Sequence, residues 1–200
     1  MARPGPETDF QRETRLLVRD LKSRAKILIG LVALLWFIEI VNLLLGNRLL
    51  LLGIHPRSLW GLIGVFLWPF LHAGILHLAA NTIPLVILGW LVMLDRIRDF
   101  VVVSVTTAVL GGLGVWLIAP ANTVHIGASG VIFGYLGFLL LRGYFQRSVA
   151  WLVISLVVGL SYGGVLLWSM VPVPGVSWQG HLCGFLAGVF AARSYRRKSS

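Results

Sequence analysis

The apolar stretch ILIGLVALLWFIEIVNLLL, residues 27–45, contains a single ionisable residue, Glu39, among its 19 positions. An uninterrupted apolar run of about 17–25 residues is what a helix needs to cross the roughly 30 Å hydrocarbon core of a bilayer. We therefore predict a transmembrane helix here. Glu39 and Asn42 could mark an ion path, but a structural role for Glu39, accepting hydrogen bonds from a neighbouring embedded loop, is the favoured interpretation.

Further apolar stretches of the same kind follow along the chain. They comprise residues 73–94, 100–119, 127–141, 149–171 and 176–192. A chain that is 58% hydrophobic and 12% charged is not an ordinary soluble domain, and the runs lack the alternation of an outer-membrane barrel. The sequence predicts an all-α polytopic membrane protein with six transmembrane helices in one domain, residues 27–195, between basic segments at residues 1–26 and 196–200.

The net charge of +10 is explained by topology. If the six stretches cross the membrane in turn, fifteen of the 17 Lys and Arg residues lie on one side, leaving Arg48 and Arg57 opposite. By the positive-inside rule both termini are cytoplasmic, as in a multi-pass protein of a bacterial inner membrane. The basic ends are suited to contact membrane lipid, and no nucleic-acid partner is needed to account for the charge.

The long connection at residues 46–71 and the polar N-terminal segment carry weaker patterns. The connection is rich in glycine and proline and includes Trp60 and Trp68, which predicts a partly embedded outer loop with short helices, its backbone covered by protein. The spacing of leucines in residues 1–26 suggests a short helix on the membrane face. His55 and His125 lie in outer connections, where we expect solvated side chains or local contacts.

Polar residues that could act in catalysis lie near the start of the second, fourth and sixth stretches. In the predicted topology all three stretches run from the outer to the cytoplasmic side. These residues are His72, His77 and Asn81, then Ser129, then His181. The fourth stretch is short, so Ser129 is expected at a recessed, hydrated helix end. A serine hydroxyl needs a neighbouring base, a role that histidine fills near neutral pH. His77, Asn81 and the Ser129 amide are candidate donors to an oxyanion.

Glycines at helical spacing in the fourth and sixth stretches predict a close approach of two backbones. They are Gly130 and Gly134 in one stretch, and Gly180, Gly184 and Gly188 in the other. Phe133 lies one turn after Ser129, where it could stack on the His181 ring and fix its orientation. Cys183 is the single cysteine, so an intrachain disulfide is impossible.

Three motifs together resemble the signatures of rhomboid intramembrane serine proteases: HAGILHLAAN at residues 72–81, GASG at residues 127–130 and GHLCGFLAG at residues 180–188. The resemblance covers about residues 27–195. It implies a six-span bundle and a Ser129–His181 dyad without an acidic third member. It also implies an oxyanion site of His77, Asn81 and the Ser129 amide, with no cofactor.

The same resemblance implies supporting positions and a substrate class. The supporting residues are His72, Gly127, Gly130, Phe133 and Gly184. The implied substrates are single-span membrane proteins whose helix unwinds near small residues and enters laterally past the fifth span. The outer connection lacks the Trp-Arg dipeptide of well-known members, and Phe133 stands where many members have tyrosine.

Other functions stay open on the sequence. A catalytically silent relative that binds membrane clients would usually lack the serine or histidine, and both are present. A small transporter could use Glu39 and the histidines, but paired acids and inverted halves are absent. Three histidines could hold a metal, yet no carboxylate accompanies them and the H-E-x-x-H motif of zinc proteases is missing. We predict no metal site.

Overall fold

The computed structural model describes residues 9–169, 171–173 and 175–195. In those residues the chain is built from helices and connections, which confirms the all-helical prediction. The helices are α1 Asp9–Leu44, α2 Leu59–Leu67, α3 Ile75–Val92, α4 Ile97–Thr106, α5 Gly112–Ile118, α6 Ser129–Gln146, α7 Val149–Ser169 and α8 Trp178–Arg193. Short 3-10 turns cover Arg48–Leu52 and Trp68–Phe70, and the π-helical turn Thr107–Gly111 joins α4 to α5.

Three helical segments of the described chain are long and apolar enough to cross a membrane. They are Asp9–Leu44, Ile75–Val92 and Ile97–Ile118, the last taken through the π-helical turn. Large hydrophobic side chains such as Leu76 and Leu160 point outward from the bundle, at 87% and 80% exposure. An outward apolar surface is what lipid contact requires, so the protein is a membrane protein, and the six-span count stays a prediction.

The N-terminal segment departs from the prediction of a separate surface helix, which is wrong for the residues described. Helix α1 runs without a break for 36 residues, from the basic segment into the apolar stretch. No glycine or proline occurs between Asp9 and Lys26 to interrupt it, so backbone hydrogen bonding continues across the predicted boundary. Residues 1–8 of that segment and the tail at 196–200 lie outside the described residues.

Helix α6 forms the centre of the bundle and packs against α8 at backbone distance. A methyl group added to Gly184 would collide with the carbonyl of Gly130, and one added to Gly188 would collide with that of Gly134. Both contacts advance by one turn in the same direction, so α6 and α8 run parallel. The glycine ridges therefore meet as predicted, and the first turns of the two helices lie side by side.

An ion cluster centred on a buried arginine lies at the other end of α6. The guanidinium of Arg142, 1% exposed, lies 2.5 Å from Asp95 and 3.1 Å from Asp99. Its carbon is 3.8 Å from the centre of the Trp151 ring, while the Tyr195 hydroxyl donates to Asp99 at 2.8 Å. Burial raises the pKa of Tyr195 to about 12, so its proton stays in place at neutral pH. The fourth apolar stretch is predicted to end at residue 141, just before Arg142. Helix α6 instead continues for five further residues, to Gln146.

Candidate active site

A cavity of about 1030 Å³ lies at the end of the bundle where α6 begins. Its walls come from α3, α6, α7, α8 and the connections that precede α6 and α8. Five of the residues singled out in the sequence line it: His77, Asn81, Ser129, Phe133 and His181. The structure thus brings the polar groups of three separate helices to one space, at the same end of the bundle.

Ser129 is the first residue of α6, so its amide has no acceptor within the helix. Two residues earlier, Gly127 has a φ of +111°, a conformation that only glycine adopts easily. A β-carbon built there would lie 3.2 Å from His77 Nε2 and 3.6 Å from Ser129 Oγ. The missing side chain of Gly127 therefore leaves a space that the serine hydroxyl and the His77 ring both face.

His181 is held in a defined orientation. Its ring stacks on Phe133 with 4.3 Å between centroids and 21° between planes, and its Nδ1 lies 3.1 Å from the backbone carbonyl of Ser169. A carbonyl only accepts, so Nδ1 must carry the proton and the neutral ring keeps its lone pair on Nε2. Since Ser129 precedes Gly130 and His181 lies one turn before Gly184, the two side chains occupy neighbouring positions at this end of α6 and α8.

Hydrogen-bond donors line the same cavity as the Ser129 hydroxyl. The Ala73 amide donates to Nδ1 of His77 at 3.4 Å, which places the His77 proton on Nε2, the atom that faces Gly127. Asn81 is 7% exposed, and its Nδ2 has no hydrogen-bond partner among the described residues. Buried polar groups are rarely left unpaired. With the Ser129 amide, the cavity offers three donors for a negatively charged oxygen.

His72 is completely buried and stands behind the cavity. Its Nε2 accepts a hydrogen bond from the Ala128 amide at 3.3 Å, and its ring contacts that of His77 edge to face, with centroids 5.2 Å apart. His72 therefore fixes both the chain just before Ser129 and the neighbouring imidazole. Gly130 and Gly184, also outside the cavity wall, set the spacing of α6 and α8.

Comparison of the sequence with models of protein families gives independent information on this chain. The model described as the rhomboid domain matches residues 56–198. The chain belongs to the rhomboid family. The predicted resemblance is confirmed over residues 56–198, whereas the first predicted span and the start of the outer connection lie outside the matched range.

Relatives of this rhomboid protein occur in several bacteria. An uncharacterized protein of Mycobacterium tuberculosis is 51% identical over 170 residues, which cover 80% of this chain and 70% of that protein. One of Mycobacterium leprae is 41% identical over 196 residues, covering 94% and 75% of the two chains. Rhomboid protease GluP of Bacillus subtilis is 30% identical over 131 residues, covering 61% and 24%.

The outer connection of the rhomboid domain is anchored in the bundle. Residues Ile54 and His125 form an isolated antiparallel bridge, and the Gly127 amide donates to the Trp68 carbonyl at 2.8 Å. Trp68, 1% exposed, donates its indole N–H to the Ala108 carbonyl of the π-helical turn. These contacts cover the non-helical backbone on the bundle side and hold the segment that leads into Ser129.

Glu39 has the structural role favoured from the sequence. Its buried carboxylate accepts from the Gly74 amide at 2.8 Å and from the Asn42 side chain at 3.3 Å. Asn42 also donates to the His72 carbonyl. Helix α1 therefore ties down the end of the outer connection and the start of α3, which carries His77 and Asn81. No observation favours an ion path.

His125 departs in part from the expectation of a solvated side chain or local contacts, because it has a local contact to Thr123 but is buried and also bonds Ser177, 52 residues away. Its side chain is 6% exposed, and it lies in the middle of a chain of hydrogen bonds in which each group donates to the next. The Gly180 amide donates to Ser177 Oγ, which lies 2.6 Å from His125 Nδ1. His125 Nε2 lies 2.8 Å from Thr123 Oγ1, which donates to the Pro120 carbonyl. Each hydrogen bond of this chain has one donor hydrogen when the His125 ring is neutral. Burial lowers the pKa of His125 below its ordinary value, which favours the neutral ring.

This chain joins the segment that enters α6 to the cap of α8. Ser177 accepts from the Gly180 amide, so it is the N-cap of the helix that carries His181. The cap itself is readable from sequence, because a serine stands just before an apolar helix. The hydrogen bond between Ser177 and His125, 52 residues earlier, could not be predicted from the sequence, since no spacing rule relates two connections so far apart.

Loss of the Ser177 cap is expected to lower both stability and activity. Ser177→Ala removes a hydrogen bond worth about 1 kcal/mol and frees the first turn around His181, so we expect a fall of about tenfold in any activity that depends on His181. Ser58→Ala is the matched control, because Ser58 caps α2 in the same way through the Gly61 amide. Thermal unfolding and the activity of the site should be measured on both variants. An equal loss of activity in the two variants would contradict a specific link to His181.

Metal ligation has no support in the part of the chain at residues 9–169, 171–173 and 175–195. No group of three or more His, Cys, Asp or Glu side chains there is arranged to hold an ion. The histidine nitrogens His181 Nδ1, His77 Nδ1 and His72 Nε2 are instead engaged with backbone groups.

Proposed function

We propose that this rhomboid protein is an intramembrane serine endopeptidase that cleaves transmembrane segments of other membrane proteins. In this proposal Ser129 is the nucleophile and His181 is its base, without an acidic third residue. The observation that carries it is one cavity in which a serine at a helix start, an oriented imidazole and three hydrogen-bond donors meet. Family membership supports it, since rhomboid proteins are generally intramembrane serine proteases.

The reaction that fits these groups has two halves. Ser129 Oγ attacks the carbonyl carbon of the scissile peptide while His181 Nε2 accepts the hydroxyl proton. The resulting oxyanion takes hydrogen bonds from His77, Asn81 and the Ser129 amide. As the C–N bond breaks, His181 returns the proton to the leaving amine and an acyl-enzyme remains. Water then attacks the ester with His181 as base, which releases the acid and restores Ser129.

The surroundings of His181 suit a transient positive charge without a carboxylate. Its Nδ1–H donates to the Ser169 carbonyl, and the Phe133 ring lies against its face. A carbonyl dipole and an aromatic face both stabilise a cation nearby. The absence of an acidic third member, implied by the family resemblance, is therefore compatible with the chemistry.

Access from the side suits a substrate that is itself a membrane helix. The cavity is lined by Pro84 and Leu88 of α3 and by Tyr162 and Val165 of α7. Helix α7 packs chiefly on α6, and a β-carbon at Gly163 or Gly164 would touch nothing. In the proposed topology six spans cross a bacterial inner membrane, residues 1–26 and 196–200 are cytoplasmic, and an unwound substrate segment enters between α3 and α7.

Asn81→Ala is expected to reduce the cleavage rate by about 10²–10³-fold, as for loss of one oxyanion donor. The effect should fall on kcat, because the donor acts on charge that develops in the transition state. Thr82→Ala is a matched control: Thr82 is also a polar residue of α3, but it bonds Leu78 and Trp36 instead of lining the cavity. Steady-state cleavage in proteoliposomes gives the comparison. A change confined to KM would argue against an oxyanion role.

Covalent labelling separates an enzyme from a silent client-binding relative. A fluorophosphonate probe should label the wild-type protein in liposomes and leave Ser129→Ala unlabelled. Cleavage of a reporter span should parallel the labelling. Absence of both labelling and cleavage, with a reporter span still retained by the protein, would establish the client-binding alternative in place of proteolysis.

A further inference from the structure

A second cavity, of about 670 Å³, lies at the opposite end of α6 from Ser129. Its walls are formed by the last turn of α6, the first turn of α7 and the last turns of α8. At its floor α6 and α7 are in backbone contact, because a methyl group added to Gly143 would collide with the backbone at Trp151 and Leu152. The site is separate from the candidate active site, and the two cavities have no described lining residue in common.

The walls of this second cavity are largely apolar. Leu152, 47% exposed, projects from α7, and Val189 lies across from it on α8. Tyr144, 69% exposed, and Phe145 line the α6 side. Tyrosine is enriched where the hydrocarbon of a bilayer meets its headgroups. A cleft with an apolar wall and an exposed tyrosine is suited to an acyl chain below a polar headgroup.

Two unpaired positive charges complete the lining. Arg147 follows α6 with a φ of +52°, and Arg193 ends α8; both are exposed. Neither forms an ion pair with another described residue. The acids nearest to this end, Asp95 and Asp99, are already engaged by the buried Arg142. Among the described residues, the lining of this cavity therefore presents two arginines beside an apolar groove and no carboxylate.

We propose that this second cavity binds an anionic phospholipid. The headgroup phosphate is held by Arg147 and Arg193, and one acyl chain lies along Leu152 and Val189. Guanidinium groups bind phosphate oxygens with charge-assisted, frequently bidentate hydrogen bonds, and basic pockets between membrane helices are suited to acidic headgroups. The bound lipid bridges α6, α7 and α8 at the end where the ion cluster of Arg142 also joins them.

The test is a lipid titration of the purified full chain in neutral detergent, followed by native mass spectrometry. Phosphatidylglycerol, phosphatidylcholine and inorganic phosphate serve as separate probes. We expect wild type to retain phosphatidylglycerol in preference to phosphatidylcholine. Arg147→Gln and Arg193→Gln should each weaken its binding about fivefold, and the double variant about thirtyfold. Arg96→Gln, at an exposed arginine outside the cavity, should bind like wild type.

A steric variant distinguishes a lipid from a free anion. Val189→Trp fills the apolar groove and leaves both arginines in place, so it should lose phosphatidylglycerol at least tenfold. Equal retention of the two lipids, or unchanged phosphatidylglycerol binding in the double arginine variant, would overturn the proposal. Inorganic phosphate at millimolar concentration gives a further test. If it competes with phosphatidylglycerol and the competition is unchanged in Val189→Trp, the proposal is overturned, because the site would then bind phosphate alone. Unchanged thermal unfolding shows that each variant is folded.

Discussion

Replacement of Ser129 by alanine is expected to lower the cleavage of a reporter transmembrane segment by about 10⁶-fold, the loss typical of a serine nucleophile. His181→Ala should have an effect of the same order, because the hydroxyl is a poor nucleophile until its proton is taken. The two groups act as a unit, so the double variant should be no slower than either single variant. Initial rates in proteoliposomes at matched protein density measure all three.

The control for this experiment is a serine in a comparable environment away from the cavity. Ser155 of α7 donates to the Leu139 carbonyl and lies outside the cavity. Ser155→Ala should therefore cleave at the wild-type rate within about twofold. Thermal unfolding of Ser129→Ala should match wild type, since the lost hydroxyl faces an open cavity. Persistent cleavage by Ser129→Ala would refute the proposed mechanism.

Replacement of Arg142 by methionine is expected to cost about 3–5 kcal/mol in the free energy of unfolding. The side-chain volume is largely kept, but the carboxylate of Asp99 stays buried without its partner. Tyr195 would still donate to Asp99, and a single neutral hydrogen bond does not replace a cation. Unfolding in mixed micelles with increasing denaturant should show the loss as a lower transition midpoint.

Two variants isolate the buried charge as the cause. Arg96→Met removes an exposed arginine from the same end of the bundle and should change stability by less than about 0.5 kcal/mol. Combining Arg142→Met with Asp99→Asn removes both charges, so it should recover part of the loss. If Arg142→Met were as stable as Arg96→Met, the cluster would have no role in holding the helices together.

The sequence was sufficient for the fold class and for the grouping of the candidate site. Hydropathy predicts that each apolar run crosses the membrane, and the predicted direction of each run then indicates which end a residue occupies. His77, Ser129 and His181 fall at one end by that rule, and they line one cavity in the structure. The glycines of α6 and α8 could be paired because small residues at helical spacing have few other uses in a membrane helix.

Features that depend on side-chain reach could not be predicted. Hydropathy treats Arg142 as a residue that ends a span at the surface, whereas two acids and three aromatic rings let it stay inside. The link from His125 to Ser177 needs two connections folded against each other. The π-helical turn at Thr107–Gly111 has no sequence mark; in the structure its Ala108 carbonyl accepts from the Trp68 indole and its Gly111 packs against Gly184.

The unbroken course of α1 affects how neighbouring molecules can approach the protein. A helix of 36 residues is about 54 Å long at 1.5 Å per residue, against roughly 30 Å of hydrocarbon. A tilt of even 40° leaves a vertical extent of about 41 Å, so at least two turns must stand clear of the acyl chains. The projecting part of α1 carries arginine and lysine together with Asp9, Glu13 and Asp20, so a soluble molecule that approaches this flank meets a stiff helix with charges of both signs before it meets the bundle.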